Sequence, residues 1–478
     1  MTKVLKSFRR KMDGGTVAVT RVLVPSGMLG AGVNREHLEQ GVRAGAHAIA
    51  LDSGSTDSGP AYLARGVSKM NREALKQDLI ILMDVAFSAG IPLLIGSCGT
   101  AGTDSGVDWT RDIVAEIAGE LGIAPKIALL YSEQDIGVLK RKNAQGAIHP
   151  LAPMGPLADA TLDACNHVVA LMGPEPYMRA VFEGADIVLG GRTTDTAVLA
   201  AVPLLRGASA GPAWHAAKVS ECGGQCTVNP RTGGVMMSVD AEGFDIEPLN
   251  DDNQASPESV SAHMLYENTD PERLIEPGGL LDASQAVYAV KDPRTTRVTG
   301  SVWEPRPYTM KLEGAGGGAF QTIMFIGIED PEVLANLDEF HDRLLAALTA
   351  RIRTLFGDEA GDFDVSLRLY GHNAVSGRPV PKAAPPPREV GVMFVVTAAS
   401  QSLATRMAKA CNPMFFHFPL RPGIEMPSYA FPFTPAEIER GQVYEFKLNH
   451  VVDTEDGFEL VRTAWLDLAA PAQAANHG

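Results

Sequence analysis

The sequence predicts an α/β protein, with a doubly wound and mainly parallel sheet followed by a smaller α+β domain. Three observations predict it. Between Thr16 and Leu205 short apolar runs of β type alternate with amphipathic helical stretches. Three of these runs break into loops of small residues that end in Thr-Asp-Ser or Thr-Asp-Thr. After Glu221 the character changes to extended segments suited to antiparallel pairing, with fewer helices between them.

In order along the chain, Val17 to Val24 reads as a strand that enters the small-residue turn Pro25 to Gly32, and Arg35 to Arg43 as an amphipathic helix. Ala48 to Leu51 is the next strand. Asn71 to Ala89 is a helix because Leu75, Leu79, Leu82, Met83 and Val85 fall on one side. Pro92 to Ile95, Lys126 to Leu130, Val168 to Leu171 and Asp186 to Leu189 are further short strands, with a helix over Trp109 to Leu121. Beyond Glu221, strands are expected over Gly233–Val239, Thr295–Trp303, Tyr308–Leu312, Phe320–Ile326, Phe363–Tyr370, Glu389–Ala398 and Val443–Val451. Helices fall over Pro331–Phe356 and Gln401–Asn412. The glycine run after Leu312 reads as a hairpin turn, and the proline-rich stretch from Arg378 to Arg388 as a stiff surface loop. The expected division is residues 1–284, carrying the active site, and 285–478.

Composition narrows the function. At 478 residues the chain exceeds one ordinary core, and 45% apolar with 21% charged residues describes a globular protein. A net charge of -16 argues against nucleic acid as a partner and against an anionic membrane surface. The basic stretch from Lys3 to Lys11 reads as a solvated terminus. No apolar run is long enough to span a bilayer and no signal-peptide core is present, so a cytoplasmic location is expected. Cys98, Cys165, Cys222, Cys226 and Cys411 are odd in number and mostly far apart, as reduced thiols would be.

Loops that follow parallel strands emerge at the carboxyl edge of the sheet, where α/β folds bind ligands. The sequence therefore predicts that Asp57, Asp104 and Asp195 gather around one crevice, each following hydroxyl-bearing residues: Ser55 and Thr56; Ser97, Thr100 and Thr103; Thr193 and Thr194. The alternative is that each aspartate caps the helix after it. If the three converge, crowding raises at least one carboxyl into the range useful for moving protons. Arg192, in Gly191-Arg192-Thr193-Thr194-Asp195, offers a planar fork for a carboxylate or phosphate, or else a salt bridge to a neighbouring aspartate. Ser26, Gly27 and the amides of the first turn suit an anion at a helix start, although the glycine spacing is not a dinucleotide fingerprint. Ser220-Glu221-Cys222-Gly223-Gly224-Gln225-Cys226 is a poor zinc signature, and an iron–sulfur cluster there would need Cys98 as a third thiolate. Glu221 is the better candidate, as a general base in a tight turn. His149 and His167 stand at strand and loop ends without a metal-binding spacing.

The segments Gly96-Ser97-Cys98-Gly99-Thr100-Ala101-Gly102, Gly184 to Asp195 and Glu221-Cys222-Gly223-Gly224 resemble the motifs of the acyclic terpene utilisation protein A (AtuA-like) family, as does the tail with Arg368 to Asn373 and Phe446 to Val451. The likeness spans nearly the whole chain and is to the long bacterial form. The first turn departs from it, beginning Pro25-Ser26-Gly27 where Gly or Asn is more usual. The resemblance implies a catabolic enzyme of small acids or their CoA esters, with a small companion subunit as a further partner.

The expected activity is that of a lyase or isomerase, of hydratase or dehydratase type, on a small branched or unsaturated carboxylate or its acyl-CoA ester. Asp57, Asp104 and Glu221 are the candidate catalytic groups. Ser26, Gly27, Ser55, Thr56, Ser97, Cys98, Thr100, Thr103, Arg192, Thr193, Thr194 and Asp195 are the candidate substrate contacts. No redox cofactor is expected, and the chain is expected to form a homo-oligomer. The alternatives are a metal-dependent hydrolase whose aspartates hold Mg²⁺ or Mn²⁺, and a non-catalytic subunit that works with the companion protein.

Overall fold

The computed structural model describes residues 19–231, 233–381, 383–423 and 425–468. The basic stretch Lys3 to Lys11 and the start of the first expected strand lie outside them. The chain divides into two compact units, Met1–Gly316 with Phe446–Gly478, and Gly317–Glu445.

The first unit is α/β, built on a large mixed sheet. Its centre is five parallel strands in the order Thr20–Val24, Ala48–Asp52, Leu93–Gly96, Ile187–Gly190, Lys126–Tyr131. Antiparallel strands extend it on both sides: Val235–Val239 beside Thr20–Val24, and Arg462–Asp467 beside Lys126–Tyr131. The central strands are apolar except at their ends, where Thr20, Arg21, Asp52, Lys126 and Tyr131 stand, because both faces are covered. Val22, Ala48, Ala50, Leu94 and Val188 join one core cluster, and Leu23, Ile49, Leu51, Leu93 and Ile187 the other.

Helices Arg72–Ala89 and Asp104–Leu121 supply Leu75, Leu79, Val107 and Val114 to the second cluster. Each such fully buried side chain contributes roughly 1.5–3 kcal/mol. Helix Asp195–Leu205 is buried from Thr196 onward, which its nearly all-apolar sequence permits. It packs in the first cluster with helix Ala210–Ser220.

Several elements differ from expectation. His167–Ala170 does not join the central sheet but pairs with Leu312 to Ala315. The glycine run from Gly314 to Gly318 is no hairpin turn; it lies inside one long strand, Thr309–Ile328. A side chain at Gly316 would overlap the Ala164 carbonyl, so small residues here serve close approach of a neighbouring backbone. Thr295 to Trp303 forms two strands, Thr296–Thr299 and Val302–Pro305, and the first extends the large sheet. The boundary expected at residue 285 therefore differs from the observed division, because strands beyond it and the tail segment Arg462–Asp467 pair into the first unit.

In the second unit, Asp364–Tyr370 and Val390–Ala398 pair antiparallel, and Val390–Ala398 also pairs with Phe320 to Ile328. Helix Leu337–Phe356 presents Phe340, Leu344 and Leu348, and helix Gln401–Cys411 presents Ala404 and Met407, to one core.

Candidate functional site

The three expected loops do leave the same sheet edge, but hydroxyls and not carboxylates cap the elements after them. Ser55 accepts from the Asp57 amide at 3.2 Å, Thr103 from Gly106 at 3.2 Å and Thr194 from Ala197 at 3.2 Å. The reading of Asp57, Asp104 and Asp195 as caps is thus corrected: each carboxylate is left unengaged by capping in a first turn, where the helix dipole favours negative charge.

Tight backbone packing holds the loops together. The Ser97 and Cys98 amides donate to Gly191 and Gly190 carbonyls at 3.0 and 2.9 Å, and the Arg192 amide to Gly102 at 3.0 Å. Ser97, Gly99, Thr100 and Gly102 all have positive φ. Gly54, at φ +139, admits no side chain, since a Cβ would stand 2.8 Å from Thr100 Cα.

Behind these loops lies a buried charge network. Arg192 is 5% exposed. Its Nε donates to Glu313 Oε2 at 3.0 Å, its Nη1 donates to Ser97 Oγ at 3.3 Å, and Nη1 stands 3.6 Å from Asp195 Oδ1. Glu313 also accepts from Lys311 at 2.9 Å and Thr56 at 3.0 Å. Burial works to raise the Glu313 carboxyl, but Arg192 and Lys311 outweigh it and hold it at about 2. Arg192 is therefore a structural ion pair and not the expected substrate anchor, because its fork is already engaged by Glu313, Ser97 and Asp195.

A cavity of about 580 Å³ opens at the loop edge. Of the expected residues, Ser26, Gly27, Ser55, Asp57 and Asp195 line it. Thr56, Ser97, Cys98, Thr100, Thr103, Arg192, Thr193 and Glu221 are buried and do not line it. Thr194 acts as a helix cap. Burial pushes the Cys98 thiol up to about 12.

The cavity also takes in Cys222, from the tight turn expected to bring Glu221 and the Cys222 thiol beside the crevice, and Asp52, Lys69, Tyr266 and Glu267, which were not among the expected site residues. Asp52 ends its strand, and its Oδ2 accepts from the Gly54 amide at 2.8 Å while Oδ1 is buried without a partner. Burial, then the charge of Asp195, raises Asp52 well above the ordinary carboxylate range. Burial also raises Asp195, to about 6, against the pull of Arg192 and Lys218. A signal for Asp52 was present: a charged residue closing an otherwise apolar strand run. Lys69, Tyr266 and Glu267 carried no local signal.

Asp104 is the main correction. It does not line the cavity; its carboxylate pairs with Arg462 and its amide donates to Glu133 Oε2 at 2.8 Å. Glu133 in turn holds His167 Nδ1 at 2.6 Å. Asp57 and Asp195 share a hollow, while Asp104 belongs to a separate cluster. The glycine-turn amides are also committed, since Gly30 and Gly32 donate to Asp78 Oδ2 at 2.8 and 3.1 Å. Asp78, 4% exposed in helix Arg72–Ala89, occupies the place that an anionic ligand was expected to take.

The turn after helix Ala210–Ser220 forms a second polar cluster. Glu221 pairs with Lys218, and His263 Nε2 stands 3.9 Å from the same Glu221 oxygen without a hydrogen-bond partner. Tyr266 stacks on the His263 ring at 5.5 Å between centroids. Burial raises Glu221, opposed by Lys218, and lowers His263 to about 4. Among the described residues, three donor atoms able to hold a metal converge only at Glu221, Cys222 and His263. Asp57, Asp104 and Asp195 do not converge so, nor do Cys98, Cys222 and Cys226.

The fold and site define an α/β protein with a carboxyl-rich cavity at the strand edge of its main sheet. Residues 72–444 match the family model described as acyclic terpene utilisation family protein AtuA, and the chain belongs to that family. Searches of curated proteins and of solved structures each return no match. No helix among the described residues is long and apolar enough to cross a membrane.

Proposed function

We propose that the cavity is the active site of an acid–base enzyme, a lyase of hydratase or dehydratase type or an isomerase, acting on a small carboxylate or its acyl-CoA ester. The observation that carries this reading is the Asp52–Asp195 pair, two carboxyls lining one cavity and both raised by burial, Asp52 also by the charge of Asp195. Carboxyls whose environments push them apart divide the work of acid and base. We read the central sheet as doubly wound, supported by helices packed in two core clusters, which fits a ligand at its carboxyl edge.

In this mechanism Asp195, ionised, removes the proton next to the substrate carbonyl. The electron pair forms the double bond and the neighbouring hydroxyl departs as water, taking the proton from Asp52. Hydration is the reverse. Asp57, accepting from Ser55 Oγ at 2.7 Å, orients the hydroxyl-bearing carbon, and Lys69, donating to Ser58 at 2.9 Å, meets the substrate's anionic end.

The test is deuterium exchange from D₂O into candidate 3-hydroxy and 2-enoic acids and their CoA esters. Asp195→Asn abolishes exchange next to the carbonyl, whereas Asp104→Asn retains it. Full exchange in Asp195→Asn, or loss confined to Asp104→Asn, would overturn the assignment.

A further inference from the structure

We propose that Glu221, Cys222 and His263 form a binding site for a divalent cation of the zinc class, open to the cavity at Cys222. The inference does not rest on the acid–base reading, because it concerns different residues and is tested by metal binding alone.

The geometry is close to that of a three-ligand centre. One carboxylate oxygen, one thiol sulfur and one imidazole nitrogen lie within 4.8 Å of one another. Zinc bonds of about 2.0 to 2.3 Å in a tetrahedron hold ligand atoms roughly 3.3–3.8 Å apart. Side-chain adjustment of up to about 1.5 Å therefore closes the set.

An independent observation points the same way. His263 is 5% exposed, yet its Nε2 has no hydrogen-bond partner and faces Glu221. A buried polar atom without a partner is costly, and a bound cation supplies the missing partner. Tyr266, stacked on the ring, holds the imidazole in that direction. Lys218 engages Glu221 Oε1, the oxygen that His263 Nε2 faces at 3.9 Å, so cation binding turns the carboxylate to present its second oxygen while Lys218 keeps the first. It acts as the outer hydrogen bond that orients a ligating carboxylate.

The donor set selects the cation. A thiolate with an imidazole suits zinc, whereas Mg²⁺ and Mn²⁺ prefer all-oxygen sites. Three protein ligands leave a fourth position, and Cys222 is the one member of the set that lines the cavity. Binding releases the thiol proton to solvent as the sulfur–metal bond forms.

The test is a Co²⁺ titration of the chelator-treated full-length chain, read by the thiolate-to-cobalt charge-transfer absorption in the near ultraviolet. The expected result is saturation at one equivalent, with the band displaced by Zn²⁺. Cys222→Ser loses the band, His263→Gln weakens binding by at least about tenfold, and Cys165→Ser leaves both unchanged. Thermal unfolding checks that each variant is folded; if Cys222→Ser is not, Cys222→Ala and His263→Gln carry the test. No charge-transfer band with excess Co²⁺, or a band that survives in folded Cys222→Ser, would overturn the proposal.

Discussion

Arg192 Nε donates to Glu313 Oε2 at 3.0 Å across 121 residues of chain, fastening the third Thr-Asp loop to the long strand Thr309–Ile328. Both partners are buried, so removing Glu313 leaves the Arg192 charge with only Asp195, at 3.6 Å, and the Ser97 hydroxyl for compensation. We expect Glu313→Ala to lower stability by roughly 3–5 kcal/mol, measured by urea unfolding. Arg192→Met combined with Glu313→Leu is expected to recover a substantial part of that loss. A double variant no more stable than the single one would show that the pair does more than satisfy two charges.

Asp195 gives a pH signature. Its folded carboxyl is raised from 3.8 to about 6, so the folded state binds the proton more tightly than the unfolded state. Its contribution is then fully favourable below about 4 and is lost as pH rises to about 6. The stability of Asp195→Asn relative to the native chain is expected to increase over that window and to level off above it. A difference that does not change with pH between 4 and 7 would contradict this electrostatic account.

Asp78 gathers the Gly30 and Gly32 amides through one oxygen. Asp78→Ala leaves two donors without that acceptor and is expected to cost roughly 1–3 kcal/mol. Asp78→Asn retains an acceptor and costs less, although burial already raises the native carboxyl. Equal losses in the two variants would show that packing, not hydrogen bonding, sets the effect.

Gly54 supports the cavity wall through φ +139 and close contact with Thr100. Gly54→Ala is expected to destabilise the chain by at least about 1 kcal/mol and to disturb Asp52, whose Oδ2 accepts from that amide. Unchanged unfolding with unchanged ligand response would argue that the loop has slack the packing does not suggest.

Much of the first unit was legible because apolar runs between small-residue loops specify buried parallel strands. Asp57 and Asp195 were found for that reason. Asp104 carries the same local signature, yet Arg462, near the far end of the chain, pairs with it outside the cavity. Local pattern cannot reveal a partner brought in by the fold. Glu313 was hidden similarly, within what read as the lead-in to a turn, because the glycines after it resemble a flexible connection. They serve close packing inside a strand. His263 lay outside any metal spacing, since its neighbours in space, Glu221 and Cys222, come from a separate segment.

The carboxylate of Asp78 makes the first turn self-sufficient. An α/β chain that fills its glycine corner with its own anion carries a permanent surrogate for the phosphate that such corners elsewhere recruit. Inorganic phosphate should therefore leave the thermal unfolding of this chain unchanged, while Asp78→Ala would begin to respond to it.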